Sequence, residues 1–248
     1  MRERVRVGIV AIAATLGLLA ARAAAEDAPK KESTAIKPAP RGGGWMNRHD
    51  QFVKLAKAGG VEVLFLGDSI TDAWRGKGNR GGGKIFEEEF VPLKAANFGI
   101  GGDRTQHVLW RLQHGELDGI QPKVVMLMIG TNNLGSNSAE EIAEGNKAIV
   151  KEIHKRSPKT RVLLLGVFPR GAKPNPQRDK IKRINEIIAK LDDGSKTVKY
   201  LDIGDKFLEK DGTLPKEIMY DSLHLTAKGY RIWADAVKGP ITQLLGEK

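Results

Sequence analysis

A serine, an aspartate and a histidine suited to nucleophilic catalysis lie in two short segments far apart in the chain. The first segment, Gly67–Ser69, reads Gly-Asp-Ser, and the second, Asp221–His224, reads Asp-Ser-Leu-His. A serine hydroxyl becomes a strong nucleophile when an imidazole accepts its proton and a carboxylate fixes the imidazole tautomer. Because Asp221 precedes His224 by three residues, one tight turn can present both side chains to Ser69. These residue types and spacings predict acyl transfer to a serine.

Short apolar segments alternate with longer amphipathic ones, which is typical of βα units around a parallel sheet. The predicted strands are Val61–Leu66, Ala95–Phe98, Val124–Ile129, Val162–Val167 and Val198–Ile203. Their continuous apolar character indicates that both faces of the sheet are covered. Helices are predicted over residues 46–58, 104–114, 139–156, 177–192 and 226–245. The sequence therefore predicts one α/β domain with a mostly five-stranded parallel sheet.

Glycine-rich or asparagine-containing segments follow three of these strands. They are Gly99–Asp103, Gly130–Asn133 and Pro169–Gly171. The carboxyl ends of parallel strands meet at one edge of a sheet, where ligands bind. A glycine lets a backbone N–H approach an oxyanion closely, and an asparagine side chain offers an NH₂ group. Together these segments predict an oxyanion site beside Ser69.

The first 25 residues have the pattern of a secretory signal peptide. Arg2, Arg4 and Arg6 form a basic start, Val7–Ala21 is apolar, and small residues continue to Ala25. The apolar run is shorter than the roughly 20 residues that span a bilayer. We therefore expect cleavage after Ala25, export to a periplasm or the extracellular space, and no stable membrane insertion afterwards.

Composition and charge limit the kinds of chemistry and partner that are expected for this protein. Residues 26–44 are rich in Pro, Lys, Ser and Gly and are predicted to be a flexible leader to a catalytic domain over 45–248. The absence of cysteine excludes disulfides and thiol chemistry. The formal net charge is +11, but the basic residues are scattered and only 6% of residues are aromatic. We therefore expect a solvated basic surface and no nucleic-acid partner.

Two motif matches are rejected on their context. Gly76–Gly81 fits G-x-G-x-x-G but lies several residues past a strand and lacks the helix of a dinucleotide site, so it is interpreted as a flexible rim loop. Thr71 replaces the second glycine of G-x-S-x-G, which argues against an α/β-hydrolase.

Other candidate side chains are interpreted as structural. No metal and no cofactor are predicted, because four histidines lack ligand spacing: His49, His107, His114 and His154. Trp110 and Arg111 lie on a predicted amphipathic helix, and we expect them to provide packing and surface charge.

The chain resembles the SGNH hydrolases, also called the GDSL esterase/lipase superfamily. The four blocks that carry the resemblance are Gly67–Ser69, Gly102, Asn132 and Asp221–His224. Three longer segments resemble the catalytic subunits of intracellular platelet-activating-factor acetylhydrolase Ib: Asn97–Leu112, Gly130–Asn133 and Pro169–Gly171. The likeness covers about residues 61–237 and implies a three-layer, flavodoxin-like SGNH hydrolase fold.

The resemblance also implies a role for individual residues. Ser69 would be the nucleophile, His224 the general base and then acid, and Asp221 its orienting carboxylate. The oxyanion donors would be the backbone N–H groups of Ser69 and Gly102 and the side chain of Asn132.

Three further residues would crowd the acyl pocket: Ile70, Thr131 and Leu223. Their bulk or branching predicts room for an acetyl group and little more.

The expected function is a secreted serine esterase acting on acetylated carbohydrate or on a platelet-activating-factor-like acetyl ester. The relatives are intracellular whereas this chain has a predicted export signal, so the resemblance transfers the reaction and not the substrate. An acetyltransferase with a sugar acceptor and a non-catalytic glycan-binding module are the alternatives. Because the related subunits form dimers, a homodimer is a candidate assembly.

Overall fold

In the computed structural model, which describes residues 32–246, five apolar segments form a parallel sheet. The strands are β1 (Val63–Gly67), β2 (Ala95–Asn97), β3 (Val124–Met128), β4 (Arg161–Leu165) and β5 (Val198–Leu201). Their order across the sheet is β2-β1-β3-β4-β5. This is the doubly wound, flavodoxin-like order. The predicted fold class and all five predicted strands are confirmed.

The pairing of the strands brings the candidate site segments to one edge of the sheet. Val63 of the central strand β1 pairs with Ala95 of β2 on one side and with Val124 of β3 on the other. All pairs are parallel, so the carboxyl ends of β1, β2 and β3 lie side by side. The loops that leave these ends carry the serine, the glycine turn and the asparagine.

Helices surround the sheet between successive strands. Within residues 32–246 the α-helices are α1 (Gly44–Ala58), α2 (Ser69–Asp72), α3 (Gly83–Glu89), α4 (Thr105–Gln113), α5 (Ala139–Arg156), α6 (Pro176–Ile188) and α7 (Ala227–Gly246). Five of them were expected from the sequence pattern, whereas α2 and α3 are too short to show a helical period. Helix α5 begins with a capping box in which Ser138 and Glu141 each accept a hydrogen bond from the other's backbone N–H.

Alternate residues of each strand belong to two separate apolar cores, because successive side chains point to opposite faces. Leu64 and Leu66 of β1 pack with residues of α1, α4, α5 and α6. Val63 and Phe65 pack with residues of α3 and α7. The three layers explain why the strands are apolar without alternation.

The segment 34–41 differs from the predicted flexible leader, because it packs on the domain. Ala35 is fully buried, and its carbonyl oxygen accepts a hydrogen bond from the Thr105 hydroxyl at 2.8 Å. The Asn137 side chain donates to the Thr34 hydroxyl at 2.8 Å. These contacts are polar and long-range, so the composition of the segment does not reveal them.

The predicted signal peptide, residues 1–25, its cleavage site and residues 26–31 of the predicted leader lie outside the described residues. None of the helices described here is both long enough and apolar enough to cross a membrane.

Candidate active site

Ser69 lies where the central strand β1 ends and the chain turns directly into helix α2. Gly67 is required at this turn, because a Cβ there would collide with the Thr71 side chain. Asp68 caps the helix, and its carboxylate accepts a hydrogen bond from the Ile70 N–H at 3.0 Å. Ser69 is the first residue of α2, so its own N–H is one of the first-turn donors that find no acceptor within a helix.

The turn that carries Asp221 and His224 is folded by the aspartate itself. Its carboxylate accepts hydrogen bonds from the backbone N–H groups of Leu223 at 3.1 Å and His224 at 2.7 Å. Ser222 has a φ of 63° in the left-handed region, and its carbonyl oxygen accepts from the Gly171 N–H at 2.8 Å. The turn therefore has a fixed shape and is tied to the loop that follows β4.

Ser69, His224 and Asp221 form a continuous hydrogen-bonded chain. The Ser69 hydroxyl lies 2.9 Å from Nε2 of His224, and Nδ1 of His224 lies 2.7 Å from Oδ2 of Asp221. A carboxylate only accepts hydrogen bonds, so we assign the imidazole proton to Nδ1, which leaves Nε2 to accept the serine proton. The structure thus brings together the three side chains that the sequence predicts at the site.

The electrostatics of Asp221 favour its ionised form. Partial burial by itself would raise the Asp221 pKa, but hydrogen bonds from the backbone and imidazole of His224 and from the Leu223 N–H outweigh it and lower the pKa. An ionised carboxylate at this position stabilises the positive charge that forms on His224 when it accepts a proton.

The loops after β2 and β3 place possible oxyanion donors beside Ser69. A Cβ on Gly101 would lie 3.9 Å from the Cβ of Ser69, so the two segments lie side by side. Gly102 has a φ of 76°, a conformation that favours glycine. The Asn132 amide donates to the carbonyl oxygen of Asp103 at 2.8 Å. That bond holds Asn132 against the glycine turn and leaves its second N–H for a ligand.

The glycine turn rests on a buried network formed by Asp103, Arg111, Glu116, Trp45 and His49. Arg111 donates from Nε to Asp103 at 2.9 Å and from Nη1 to Glu116 at 2.5 Å. Trp45 donates from Nε1 to Asp103 at 2.6 Å, and Nδ1 of His49 lies 3.0 Å from Glu116. We call these five residues the Asp103 network.

The expectation that Arg111 is a surface charge is wrong, because its side chain is 0% exposed. It also donates to the carbonyl oxygen of Phe98, just after β2, at 3.0 Å. Burial by itself would lower the Arg111 pKa, but the charges of Glu116 and Asp103 outweigh it and raise the pKa. Arg111 therefore stays charged and ties the end of β2 to the turn beside Ser69.

Arg41, at the end of the packed segment 34–41, reaches the same turn. Its Nη1 donates to the carbonyl oxygen of Gly101 at 2.8 Å and to Asp103 at 3.1 Å. A Cβ on Gly102 would lie 3.2 Å from the Arg41 guanidinium. Sequence reasoning missed Arg41 and Arg111, and no motif or spacing relative to the serine marks either residue.

The three residues of the predicted acyl pocket come from three different elements. Ile70 follows Ser69 in α2 and is buried, and Leu223 is half-buried and packs against the apolar cluster that contains Ile70. Thr131 follows β3, is also buried, and its hydroxyl accepts a hydrogen bond from Arg170 at 3.2 Å. Ile70 and Thr131 are therefore fixed by their surroundings, and Leu223 is the more accessible of the three.

Three of the other four histidines contact neighbouring groups of the protein. His49 is buried in the Asp103 network. His107 accepts a hydrogen bond from the Arg104 N–H at 3.0 Å, and burial together with nearby arginines lowers the His107 pKa to about 4. His114 stacks on Trp110, with 3.8 Å between the ring centroids. Between residues 32 and 246, no group of three or more His, Cys, Asp or Glu side chains is arranged to hold a metal ion.

The segment with the G-x-G-x-x-G pattern forms a loop with a closed base, which we call the rim loop (Gly76–Gly83). The Gly83 N–H donates to the carbonyl oxygen of Gly76 at 2.9 Å, and the Gly82 N–H donates to that of Ala73 at 3.0 Å. The predicted flexible loop is thus fixed at its base by backbone hydrogen bonds.

Comparison with known sequences agrees with the motif-based resemblance. Residues 65–232 match the GDSL-like lipase/acylhydrolase family. The chain is 40% identical over 222 residues to platelet-activating factor acetylhydrolase IB subunit alpha1 of Homo sapiens. The aligned residues cover 90% of this chain and 93% of that protein. The chain is 43% identical over 203 residues to the alpha2 subunit of Rattus norvegicus, covering 82% of this chain and 86% of that protein.

Solved structures with the same fold are more distant in sequence. A GDSL-like lipase from Bacteroides thetaiotaomicron superposes with a TM-score of 0.59 at 18% identity, covering 79% of this chain and 97% of that one. A catalytic mutant of an acetylxylan esterase from Geobacillus stearothermophilus gives a TM-score of 0.55 at 19% identity, covering 77% and 96% of the two chains. At these identities the similarity establishes the fold alone.

Proposed function

Because the chain belongs to the GDSL-like lipase/acylhydrolase family and is a carboxylic ester hydrolase, we propose that it is an exported serine esterase that removes acetyl groups through a covalent acyl-enzyme. The observation that carries this proposal is the hydrogen-bonded chain from Ser69 through His224 to Asp221. The order and orientation of these groups match what nucleophilic catalysis by serine requires.

In the proposed acylation step, Nε2 of His224 accepts the hydroxyl proton while Oγ of Ser69 bonds to the carbonyl carbon. The carbonyl oxygen becomes an oxyanion, and Asp221 stabilises the imidazolium through Nδ1. His224 then gives the same proton to the leaving-group oxygen as the ester C–O bond breaks. The alcohol leaves, and the acetyl group remains on Ser69.

The proposed oxyanion donors are the backbone N–H groups of Ser69 and Gly102 and the side chain of Asn132. They come from the ends of β1, β2 and β3, which the sheet places side by side. Donors held in place before the reaction stabilise the oxyanion without reorganising, which is often the largest single contribution to catalysis.

In the proposed deacylation step, His224 accepts a proton from water as the water oxygen attacks the acetyl carbon. A second oxyanion forms in the same donors and collapses, and His224 returns the proton to Oγ of Ser69. Acetate is released and the enzyme returns to its starting state.

We propose that the acyl group is acetyl because Ile70 and Thr131 are fixed by their surroundings and Leu223 packs against the apolar cluster that contains Ile70. The proposed substrate is an acetylated carbohydrate or a platelet-activating-factor-like acetyl ester. Relatives named as platelet-activating factor acetylhydrolase subunits and a structural neighbour named as an acetylxylan esterase support these two classes.

The test of this proposal is hydrolysis of p-nitrophenyl acetate, butyrate and octanoate by the purified protein and by Ser69→Ala. We expect activity that falls steeply beyond acetate and is lost in the variant. Ser138→Ala is the matched control, because this serine caps α5 and its loss should lower stability by about 1 kcal/mol without changing turnover. Leu223→Ala should raise the rate on butyrate relative to acetate. Equal activity of the protein and of Ser69→Ala would overturn the proposal.

Export is tested separately by locating the protein and sequencing its amino terminus. The predicted signal peptide supports an exported chain that begins at Glu26. Recovery of the chain in the cytoplasm with residues 1–25 attached would contradict this part of the proposal.

A further inference from the structure

Arg80, at the tip of the rim loop, lies against the ring that packs on the candidate base. Its guanidinium carbon is 4.9 Å from the ring centroid of Tyr220. The Tyr220 ring lies beside the His224 imidazole, with centroids 6.1 Å apart and planes inclined by 21°. The Tyr220 N–H also donates to the carbonyl oxygen of His224 at 3.1 Å. Tyr220 therefore contacts both the arginine and the imidazole.

The loop that presents Arg80 is fixed on both sides. Residues Gly78–Arg80 form a 3₁₀ turn between its two ends. Gly82 packs so closely on Trp74 and Tyr230 that a Cβ there would collide with the Trp74 ring. This packing and the backbone hydrogen bonds at the base of the rim loop give the tip of the loop a defined position.

The charge of Arg80 has no acidic partner among residues 32–246, and its side chain is exposed. Lys84 in α3, by contrast, lies 3.8 Å from Glu88. The Asp221 carboxylate is engaged by the His224 imidazole and by two backbone N–H groups. Arg80 is thus a positioned cation whose hydrogen-bond donors face solvent.

The position of Arg80 relative to His224 determines which part of a bound ester lies near the arginine. The imidazole that receives the serine proton must deliver it to the leaving-group oxygen, so the alcohol part of the ester lies next to Nε2 of His224. The proposed oxyanion donors follow β1, β2 and β3, and the proposed acyl pocket is formed by Ile70, Thr131 and Leu223. We place Tyr220 and Arg80 beside the leaving group, because the Tyr220 ring lies next to the same imidazole and Arg80 lies over that ring.

We propose that Arg80, held on Tyr220, forms an anion subsite for the leaving group. The enzyme then prefers acetyl esters whose alcohol part carries a carboxylate or a phosphate several bonds from the ester oxygen. Arginine suits this role because its planar donor fork pairs with both kinds of anion. The inference rests on the proposed esterase activity and specifies its substrate class further.

The experiment compares two acetate esters of the same shape and different charge, 4-acetoxybenzoate and 4-acetoxybenzamide. We expect Arg80→Gln to lower kcat/KM for the carboxylate ester about fivefold and for the amide ester less than twofold, which is the size of one partly exposed charge pair. Arg80→Lys should keep part of the preference. Lys84→Gln, which removes an equal charge from the same region, should change neither rate. The preference should also weaken as salt is added.

The outcomes separate this inference from the proposed function. If Arg80→Gln affects both esters equally, or neither, the anion subsite is wrong while the esterase stands. If the unsubstituted protein hydrolyses neither ester faster than Ser69→Ala does, the esterase proposal and the anion subsite are both wrong. A third ester, 4-acetoxyphenyl phosphate, distinguishes the two anions: the larger loss in Arg80→Gln identifies whether carboxylate or phosphate is the better fit.

Discussion

The turn that carries Asp221 and His224 and the glycine turn at Gly101–Asp103 lie beside the same serine but are supported in opposite ways. The first is folded mainly by hydrogen bonds between residues no more than three positions apart, with one backbone bond to Gly171, and its aspartate is exposed. The second is held by buried side chains that lie far from it in the sequence, including Arg111 and Trp45.

This difference in support predicts which substitutions reduce turnover and which reduce stability. A local turn can lose the function of a side chain without unfolding the domain, because little else depends on it. A buried ionic network cannot lose a member so easily, because the remaining charges stay buried without partners. We therefore expect substitutions in the first turn to reduce turnover and substitutions in the Asp103 network to reduce the free energy of unfolding.

The largest expected effect is on turnover, in Asp221→Asn. Asparagine keeps an oxygen for the backbone N–H groups of the turn but directs an NH₂ group at His224. The imidazole proton then moves to Nε2, so the ring can no longer accept the serine proton. We expect kcat on p-nitrophenyl acetate to fall by about 10⁴ and the thermal midpoint to stay within about 2 °C.

Asp211→Asn is the matched control for that substitution. Asp211 accepts a hydrogen bond from the N–H two residues later at 2.8 Å, as Asp221 does, but it contacts no histidine. A similar loss of turnover in both variants would show that the turn geometry, and not the tautomer, matters.

Arg111→Gln should have the largest effect on stability. It leaves Asp103 and Glu116 buried without their cation, which is expected to lower the free energy of unfolding by about 3–5 kcal/mol in urea titrations. Arg183→Gln is the control, because Arg183 pairs with Glu140 at 3.1 Å while more than half of each side chain is exposed. That variant should lose about 1 kcal/mol or less. Equal losses would mean that the network does not support the fold.

The same contrast explains what could be predicted from the sequence. The strands were recognisable because both faces of the sheet are covered, which makes each strand apolar throughout. Ser69, Asp221 and His224 were recognisable because a nucleophilic site needs these residue types, and two of them lie in one short turn. Asn132 and Gly102 were recognisable because they follow neighbouring strands that end at one edge of the sheet.

The supporting residues could not be predicted in this way. Arg111 lies on a helix with a moderate amphipathic pattern, and an arginine there is normally solvated. Its burial depends on two carboxylates that the fold brings together, Asp103 and Glu116. Arg41 lies in a segment without apolar periodicity, and its contact with Gly101 is made through the backbone oxygen. Such partners are set by three-dimensional packing and leave no local pattern.

Asn132 connects the two kinds of region, because its side chain is a proposed oxyanion donor and also donates to the Asp103 carbonyl oxygen. Asn132→Ala should lower kcat on p-nitrophenyl acetate by about 10² to 10³ with little change in KM, since the oxyanion exists only in the transition state. Asn47→Ala, at an exposed position of α1, is the control and should behave like the unsubstituted protein. An unchanged kcat in Asn132→Ala would remove this residue from the mechanism.

Asp68 gives the most specific test, because it is a buried carboxylate without the cation that Asp103 has. Its Oδ2 atom has no hydrogen-bond partner among residues 32–246, and burial raises the Asp68 pKa to about 7 although the Ile70 N–H opposes the shift. Between about pH 4 and 7 the folded protein thus holds a proton that the unfolded chain loses. Stability should fall as the pH rises through this window, by at most about 1.4 kcal/mol per pH unit.

Asp68→Asn should remove this contribution, because its side chain is neutral in both states. The difference in free energy of unfolding between Asp68→Asn and the unsubstituted protein, measured from pH 5 to 8, should therefore grow in favour of the variant up to about pH 7 and then level off. Asp50→Asn, at an exposed position of α1, should give a difference that hardly changes with pH. A constant difference for Asp68→Asn would show that this carboxylate is ionised in the folded protein. Burial beside the serine would then be compatible with an unpaired carboxylate charge.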